Sequence, residues 1–454
     1  MRPKFTGIVT SLFFLAAAVP LYFKGMYIKG ENKQMNITWA LLMMALGGVG
    51  VQHPAHEADV AAALQSAMNP AITAQQTANP DATQNTAGGN AATPSPGASP
   101  GTEASPGTAA DAADTAIHTD PQPDAPKVKG IYVTAYSAGG SRMTTLLDLL
   151  DKTELNSMVI DIKDDAGYIT YKTDNPELQK LGHPQPFIGD INQLMARLKK
   201  HDVYPIARIV VFKDSVLAKK KPELSFVNAN GSVWTNKGGD SFVNPYNQDV
   251  WKYNVEIAKE AVKLGFKEIQ FDYVRFPEGF EKRAETLKYT KSNRPRVEII
   301  GDFVKYAKAE LGPLGVRVSV DIFGYAASVP AAEGIGQDFV KISKNVDVIS
   351  PMVYPSHYST GWFDVKDPDK NPYATIKGSM VDTHKKLDPL GSYKPIIRPW
   401  IQDFTASWLG SGHYVKYGKQ QVEDQVRALK EKNVDEFLLW NANNRYTAGV
   451  DYGK

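Results

Sequence analysis

Lys267 to Pro277 reads Lys-Glu-Ile-Gln-Phe-Asp-Tyr-Val-Arg-Phe-Pro. Ile269 to Phe271 is a short strand-forming run. Asp272 follows where that run should leave a core, and Tyr273, Arg275, Phe276 and Pro277 come directly after it. Pro277 has no N–H for a sheet ladder, so the strand must end near here. The stretch therefore reads as a strand end that delivers a carboxylate and a cation to one rim. Taken alone, Asp272 and Arg275 fit a loop-stabilising ion pair as well as a chemical centre.

Working outward, apolar β-branched runs alternate with stretches of helical period from Val128 onward. The pattern predicts strands at Gly130–Ala135, Ser157–Ile162, Val203–Val211, Glu268–Tyr273, Arg317–Ile322, Val346–Met352, Pro395–Ile401 and Glu436–Trp440. It predicts helices at Met143–Lys152, Asp190–His201, Gln248–Leu264, Val297–Leu311, Gly336–Lys344, Tyr373–Lys386 and Lys419–Lys432. Gly265 stands where a helix ending at Leu264 would take its left-handed C-terminal residue. Eight strands with intervening helices fit an α/β fold of the (β/α)8 TIM-barrel type. A doubly wound open sheet is the alternative, but no Gly-rich phosphate-binding turn follows the first strand.

In such a barrel, chemistry sits at the C-terminal ends of the strands. The second strand brings Asp161, Lys163, Asp164 and Asp165 there, and the third brings Arg208. The fourth brings Asp272, Tyr273 and Arg275, and the fifth Asp321. The sixth leads to Tyr354 and His357. The seventh gives Arg398, Trp400 and Asp403, and the eighth Trp440 and Asn441. Acids, aromatics and amides thus collect on one rim. Aromatic faces stack on the apolar faces of pyranose rings, while carboxylates and amides bind hydroxyls. Cleavage of a glycosidic bond needs two carboxyl groups across it; Asp272 and Asp321 are the candidates, with Asp161 and Asp403 as alternatives. The expected substrate contacts are Asp161, Lys163, Arg208, Arg275, Tyr354, His357, Trp400, Asp403, Trp440 and Asn441. Arg275 is expected to hold Asp272 ionised. Asp161 also fits an ion pair with Lys163 or Arg208.

Composition narrows the function classes. The 454 residues carry a formal net charge of +2, too small for a dedicated nucleic-acid binder. Cys is absent, which excludes disulfides and thiolate catalysis. The eight His show no metal-ligand spacing. A metal-dependent reading would have to draw on Asp161, Asp164 and His357, and no metal or other cofactor is expected. The first 51 residues hold two apolar runs, Phe5–Phe23 and Ile37–Val51. They predict a signal or membrane-anchor region. Residues 52–127 are rich in Ala, Thr, Pro, Gly and Ser and read as a disordered spacer. Residues 128–454 would form the barrel. This order predicts a membrane-tethered protein on the extracytoplasmic face, or a secreted one if the signal is cleaved.

Lys129-Gly130-Ile131-Tyr132-Val133, Asp161-Ile162-Lys163, Phe271-Asp272-Tyr273-Val274-Arg275-Phe276-Pro277, Pro351-Met352-Val353-Tyr354-Pro355 and Trp440-Asn441-Ala442 together resemble a glycoside hydrolase domain family of bacterial wall-associated proteins. A Phe-Asp-Tyr-x-Arg-Phe-Pro stretch on the fourth barrel strand is that family's hallmark. The resemblance implies a TIM-barrel glycosidase related to the α-galactosidase and α-amylase-like superfamily, acting on a polysaccharide. It implies that Asp272 is the nucleophile and that the general acid lies on a later strand, for which Asp321 is chosen. A glycan-binding protein without turnover on the same scaffold is the alternative.

Overall fold

The computed structural model describes residues 120–453. Its strands are β1 (Lys129–Val133), β2 (Ser157–Lys163), β3 (Ile169–Tyr171), β4 (Pro184–Ile188), β5 (Tyr204–Val210), β6 (Glu268–Asp272), β7 (Arg317–Phe323), β8 (Val348–Met352), β9 (Ile396–Ile397), β10 (Trp400–Gln402) and β11 (Phe437–Trp440). β1 pairs in parallel with both β2 and β11. The parallel order β1-β2-β5-β6-β7-β8-β10-β11 therefore closes on itself. Closure removes the open-sheet alternative and makes the fold a (β/α)8 barrel. The seventh stave is split: β9 and β10 both pair with β8, and Arg398-Pro399 lies between them. Pro399 has no N–H to donate, which explains the interruption. Its carbonyl still accepts from the Leu438 N–H at 2.9 Å.

Each predicted barrel strand overlaps an observed one, and the helices follow the periodic stretches. The helix Gln248–Leu264 starts at Asn247, whose side chain accepts from the Asp249 N–H. It stops at Gly265, with φ of 103° and its N–H returned to Ala261 and Val262. Val250, Trp251, Val255, Ala258 and Ala261 form its buried face. Two strands went unpredicted. β3 turns back antiparallel on β2, and β4 adds to β3. β3 is three residues long and wholly buried, too short to show an alternating pattern.

The barrel interior is layered. Val159, Tyr204, Ile206 and Leu438 pack in its middle. Gly130 is required there, because a Cβ would stand 2.7 Å from Leu438 Cδ2 and 3.2 Å from Ser157 Cβ. Below lies a buried ionic layer. Arg398 donates to Glu436 Oε2 at 2.7 Å and to both carboxylate oxygens of Glu268 at 2.7 and 2.8 Å. Arg398, expected at the rim, is thus bound to Glu268, at the opposite end of β6 from Asp272. Residues 120–127, assigned by composition to the spacer, include a plug for this lower pole. Asp120 takes two hydrogen bonds from Arg317, and Gln122 binds Tyr204 and the Lys267 and Gly315 carbonyls. The expected apolar runs Phe5–Phe23 and Ile37–Val51 lie outside the described residues, as does the spacer before residue 120. Among the described residues, no helix is long and apolar enough to cross a membrane.

Removing one member of a buried ionic layer leaves the others charged and unpaired, at a cost of about 3–5 kcal/mol. Arg398→Met should therefore lower the free energy of unfolding by about that amount in urea titration. An unchanged midpoint would show that the layer is neutral to stability.

Candidate active site

Seven of the eight staves bring a polar or aromatic side chain from their ends to the mouth, and the segment just past β8 supplies the eighth. These are Tyr132, Asp161, Arg208, Asp272, Asp321, Tyr354, Trp400 and Trp440, in barrel order from β1 to β11. The register that pairs Phe271 with Val320 carries Asp272 and Asp321 to the same level on adjacent strands. Asp161 pairs in register with Arg208. The sequence-predicted carboxylates are therefore brought together.

Arg208 is the hub, and its side chain is 1% exposed. Its Nη1 donates to Asp161 Oδ1 at 2.6 Å, and its Nη2 to Asp165 Oδ1 at 2.7 Å. Nε and Nη2 both reach Asp272 Oδ2, at 3.0 and 2.7 Å. Its guanidinium also lies 5.5 Å from the Tyr132 ring centre and 5.7 Å from that of Trp440. A substrate contact was expected of Arg208. The structure instead spends its donors on three carboxylates.

Asp272 has both oxygens engaged. Arg208 occupies Oδ2, and the Tyr273 N–H donates to Oδ1 at 2.6 Å. That second bond depends on an uncommon backbone. Tyr273 has φ of 52°, a left-handed conformation that costs a bulky residue about 1–3 kcal/mol. The tyrosine ring is held by cations, with Lys213 Nζ 4.8 Å and Arg275 Cζ 5.0 Å from its centre. Arg275 itself forms an ion pair with Glu278 at 2.9 Å and lies 4.7 Å from the Phe323 ring centre. The expected Arg275–Asp272 pair is thereby corrected: the cation beside Asp272 is Arg208.

The other carboxyls of the mouth sit in different environments. Asp321 is 2% exposed and accepts from the Trp400 indole N–H at 2.7 Å. Burial, and then the charge of Asp272, raise its pKa well above the usual carboxylate value. Asp161 is pushed up to about 7, because burial outweighs Arg208. It also accepts from the Tyr132 hydroxyl at 2.6 Å. Asp165 moves the other way. Burial acts upward on it, but Arg208 and Lys213 prevail and hold it at about 2.

Four expected substrate contacts are committed elsewhere. Lys163 is fully buried, pairs with Asp214 at 2.7 Å and donates to Asn254 at 3.0 Å. A bulge between Asp161 and Lys163 shifts the register, so that Lys163 pairs with Ile209 and leaves the inward row. Arg275 belongs to Glu278, as above. Asp403 accepts from the Thr447 N–H and hydroxyl at 2.9 and 2.5 Å. Asn441 donates to the Asp403 and Arg445 carbonyls at 2.6 and 2.8 Å. These last two tie the β10 and β11 loops together.

Trp400 and Tyr354 are almost wholly buried, and Trp440 is half-buried. His357 packs edge-on to Tyr354 at 5.1 Å and shares a hydrogen bond with Ser356 Oγ at 3.0 Å. Asp164, weighed as a metal ligand, instead accepts from the N–H groups of Ala166, Gly167 and Tyr168. No cluster of His, Asp and Glu suited to a metal ion occurs among the described residues. Tyr132 was missed because it sits inside an apolar run. Its stacking on Trp440, with ring centres 4.1 Å apart, depends on β1 meeting β11 in the closed barrel.

The fold and this rim define a (β/α)8 barrel with a carboxylate-lined mouth. Residues 130–446 match the family described as "Putative glycosyl hydrolase domain", and the chain belongs to that family. Membership supports a hydrolase that acts on a glycan. No curated protein matches the sequence significantly. Among solved structures, a hypothetical protein from Ruminiclostridium thermocellum is 37% identical, over 42% of this chain and 96% of that one, with a TM-score of 0.39. The PgaB (BpsB) glycoside hydrolase domain from Bordetella bronchiseptica is 13% identical, over 70% and 94%, with a TM-score of 0.49. The spore cortex-lytic enzyme SleL from Bacillus megaterium is 12% identical, over 71% and 72%, with a TM-score of 0.41.

Burial lowers the His357 pKa to about 4 from its ordinary 6.5. Between these values the unfolded chain binds more protons at this site than the folded one, so stability falls as pH drops through the window. His357→Gln should flatten that fall, read as the change in urea midpoint between pH 7 and pH 4.5. An undiminished slope would mean that His357 is protonated in the folded state.

Proposed function

We propose that this protein is a glycoside hydrolase that cleaves a polysaccharide by double displacement, with Asp272 as nucleophile and Asp321 as general acid and base. The observation that carries this reading is the contrast between two neighbouring carboxyls. Asp272 faces a permanently charged guanidinium, whereas Asp321, one strand away, is driven towards its protonated form. Environments that separate two carboxyls in this way assign the anion and the acid. Positions at one level on adjacent strands also have Cβ atoms about 5 Å apart. Neighbouring positions on adjacent strands bring two carboxyls close together, as a retaining enzyme requires.

In the first step Asp321 protonates the leaving oxygen while Asp272 attacks the anomeric carbon, giving a glycosyl ester. Asp321, now ionised, then removes a proton from water. The water opens the ester, and Asp272 leaves as carboxylate. Arg208 keeps Asp272 in place throughout, and Trp400 orients Asp321 through its indole N–H.

Asp321→Asn should remove the alkaline limb of the pH–rate profile, which lies well above the ordinary carboxylate range. A raised acid remains protonated to higher pH, so wild-type activity is lost as pH rises through that value. The variant should lose about 10²–10⁴-fold on natural linkages and much less on aryl glycosides with good leaving groups. An intact alkaline limb would move the acid role elsewhere, with Asp161 the first candidate. Arg208→Lys should cut turnover at least about 100-fold, because a point charge cannot span three carboxylates. Turnover within a few-fold of the parent would separate Arg208 from the chemistry.

One observation favours a glycan-binding protein without turnover: both oxygens of Asp272 already accept hydrogen bonds. A protein that binds glycan yet shows no hydrolysis, and whose Asp272→Asn variant binds equally well, would decide for that alternative. The proposal further places the barrel on the extracytoplasmic face, tethered by the N-terminal segment. The apolar runs Phe5–Phe23 and Ile37–Val51, followed by a Pro- and Ala-rich stretch, support that placement. Protease treatment of intact cells should degrade the barrel if it is correct and spare it if it is not.

A further inference from the structure

Four large hydrophobic side chains are exposed among the described residues: Tyr136, Leu314, Val381 and Trp408. Trp408 stands just past β10, on the mouth side of the barrel, with 43% of its surface open. The turn that presents it is well fixed. Ala406 is fully buried, the Leu409 and Gly410 N–H groups bond to Ala406 and Ser407, and Gly410 has a φ of 85°.

The Trp408 ring does not stand alone. It stacks on Phe404 with centres 5.8 Å apart and planes 22° from parallel. Phe404 lies 5.9 Å from Tyr354, and Tyr354 lies 6.4 Å from Trp440. Trp440 stacks on Tyr132, whose hydroxyl binds Asp161. A continuous file of aromatic rings therefore leads from an exposed indole to the carboxylates. Its inner members are buried or half-buried and fill the barrel mouth. Its outer member keeps 43% of its surface open to solvent. An exposed indole has a large apolar face to cover, and the apolar face of a pyranose ring is a matching surface.

We infer that Trp408 is the platform of an outer sugar-binding subsite, and that the substrate is a glycan chain long enough to reach from the carboxylates to this rim. The inference rests on the hydrolase reading for its catalytic end, but binding at Trp408 can be measured without turnover.

The test is affinity electrophoresis of the purified full chain in gels containing soluble starch, hydroxyethyl cellulose or glycol chitosan. Parent, Trp408→Ala and Trp408→Phe are compared, each also in an Asp272→Asn background. The parent should be retarded in at least one gel. Trp408→Ala should weaken the dissociation constant about 10-fold, and Trp408→Phe, which keeps a flat ring, should recover most of the loss. Equal retardation of parent and Trp408→Ala overturns the subsite, as does retardation of none of the proteins in any gel. So does a Trp408→Phe variant as weak as Trp408→Ala. Turnover of the same polymers is scored separately. Trp408-dependent retardation without hydrolysis keeps the subsite and removes the hydrolase reading, while hydrolysis without any dependence on Trp408 does the reverse.

Discussion

The contact on which the mouth depends is the Arg208 guanidinium. Asp161, Asp165 and Asp272 converge on it, and Asp321 stands beside Asp272 on the next strand. Without a central cation, this many carboxyls in a buried mouth would repel one another and protonate. Taking a single charge out of water unpaired costs several kcal/mol. Arginine suits the position because its planar fork presents donors in several directions at once and stays charged at any working pH. The Nε and Nη2 groups of the guanidinium hold Asp272, and Nη1 holds Asp161, whose second oxygen is taken by Tyr132. The carboxyls thereby divide. Asp165 stays low, while Asp161 and Asp321 rise.

Strand regularity breaks at several points that serve this rim. The bulge after Asp161 sends Lys163 out to Asp214 and away from the acids of the mouth. Tyr273 takes a left-handed backbone at the end of β6 and turns its N–H onto Asp272. Pro399 interrupts the seventh stave just before Trp400, whose indole fixes Asp321. The turn at Tyr273 and the break before Trp400 each orient a group at the proposed reaction centre, whereas the bulge clears Lys163 from it.

Most of the barrel was legible in the sequence, because its staves are apolar runs separated by amphipathic stretches with ordinary caps. The family resemblance rested on the stretch around Asp272, and the family match spans almost the whole barrel. What escaped was local or long-range. β3 is too short and too buried to show a period, while β4 is a largely exposed strand whose Pro184 and Pro186 argue against a strand reading. The bulge that diverts Lys163 changes one register step, which strand propensity does not encode. Arg275 lies three residues from Asp272 and so looked like its partner, yet it turns to Glu278. The true partner, Arg208, is 64 residues away in sequence and meets Asp272 only because β5 and β6 are neighbours. Tyr132 escaped for the same reason, since its role depends on β1 closing against β2 and β11. The order of strand ends thus singled out Asp272 and Asp321 as candidates, whereas the assignment of cations required the closed barrel.

The most direct measurement of the central claim is the site of covalent labelling. The protein would be treated with an activated 2-deoxy-2-fluoro glycoside of a sugar that it turns over, digested and mapped by mass spectrometry. The account predicts a single glycosyl adduct on Asp272, within the peptide that continues to Arg275. An adduct on Asp161, Asp321 or any other carboxyl would contradict it, as would no adduct in a preparation that hydrolyses the parent glycoside.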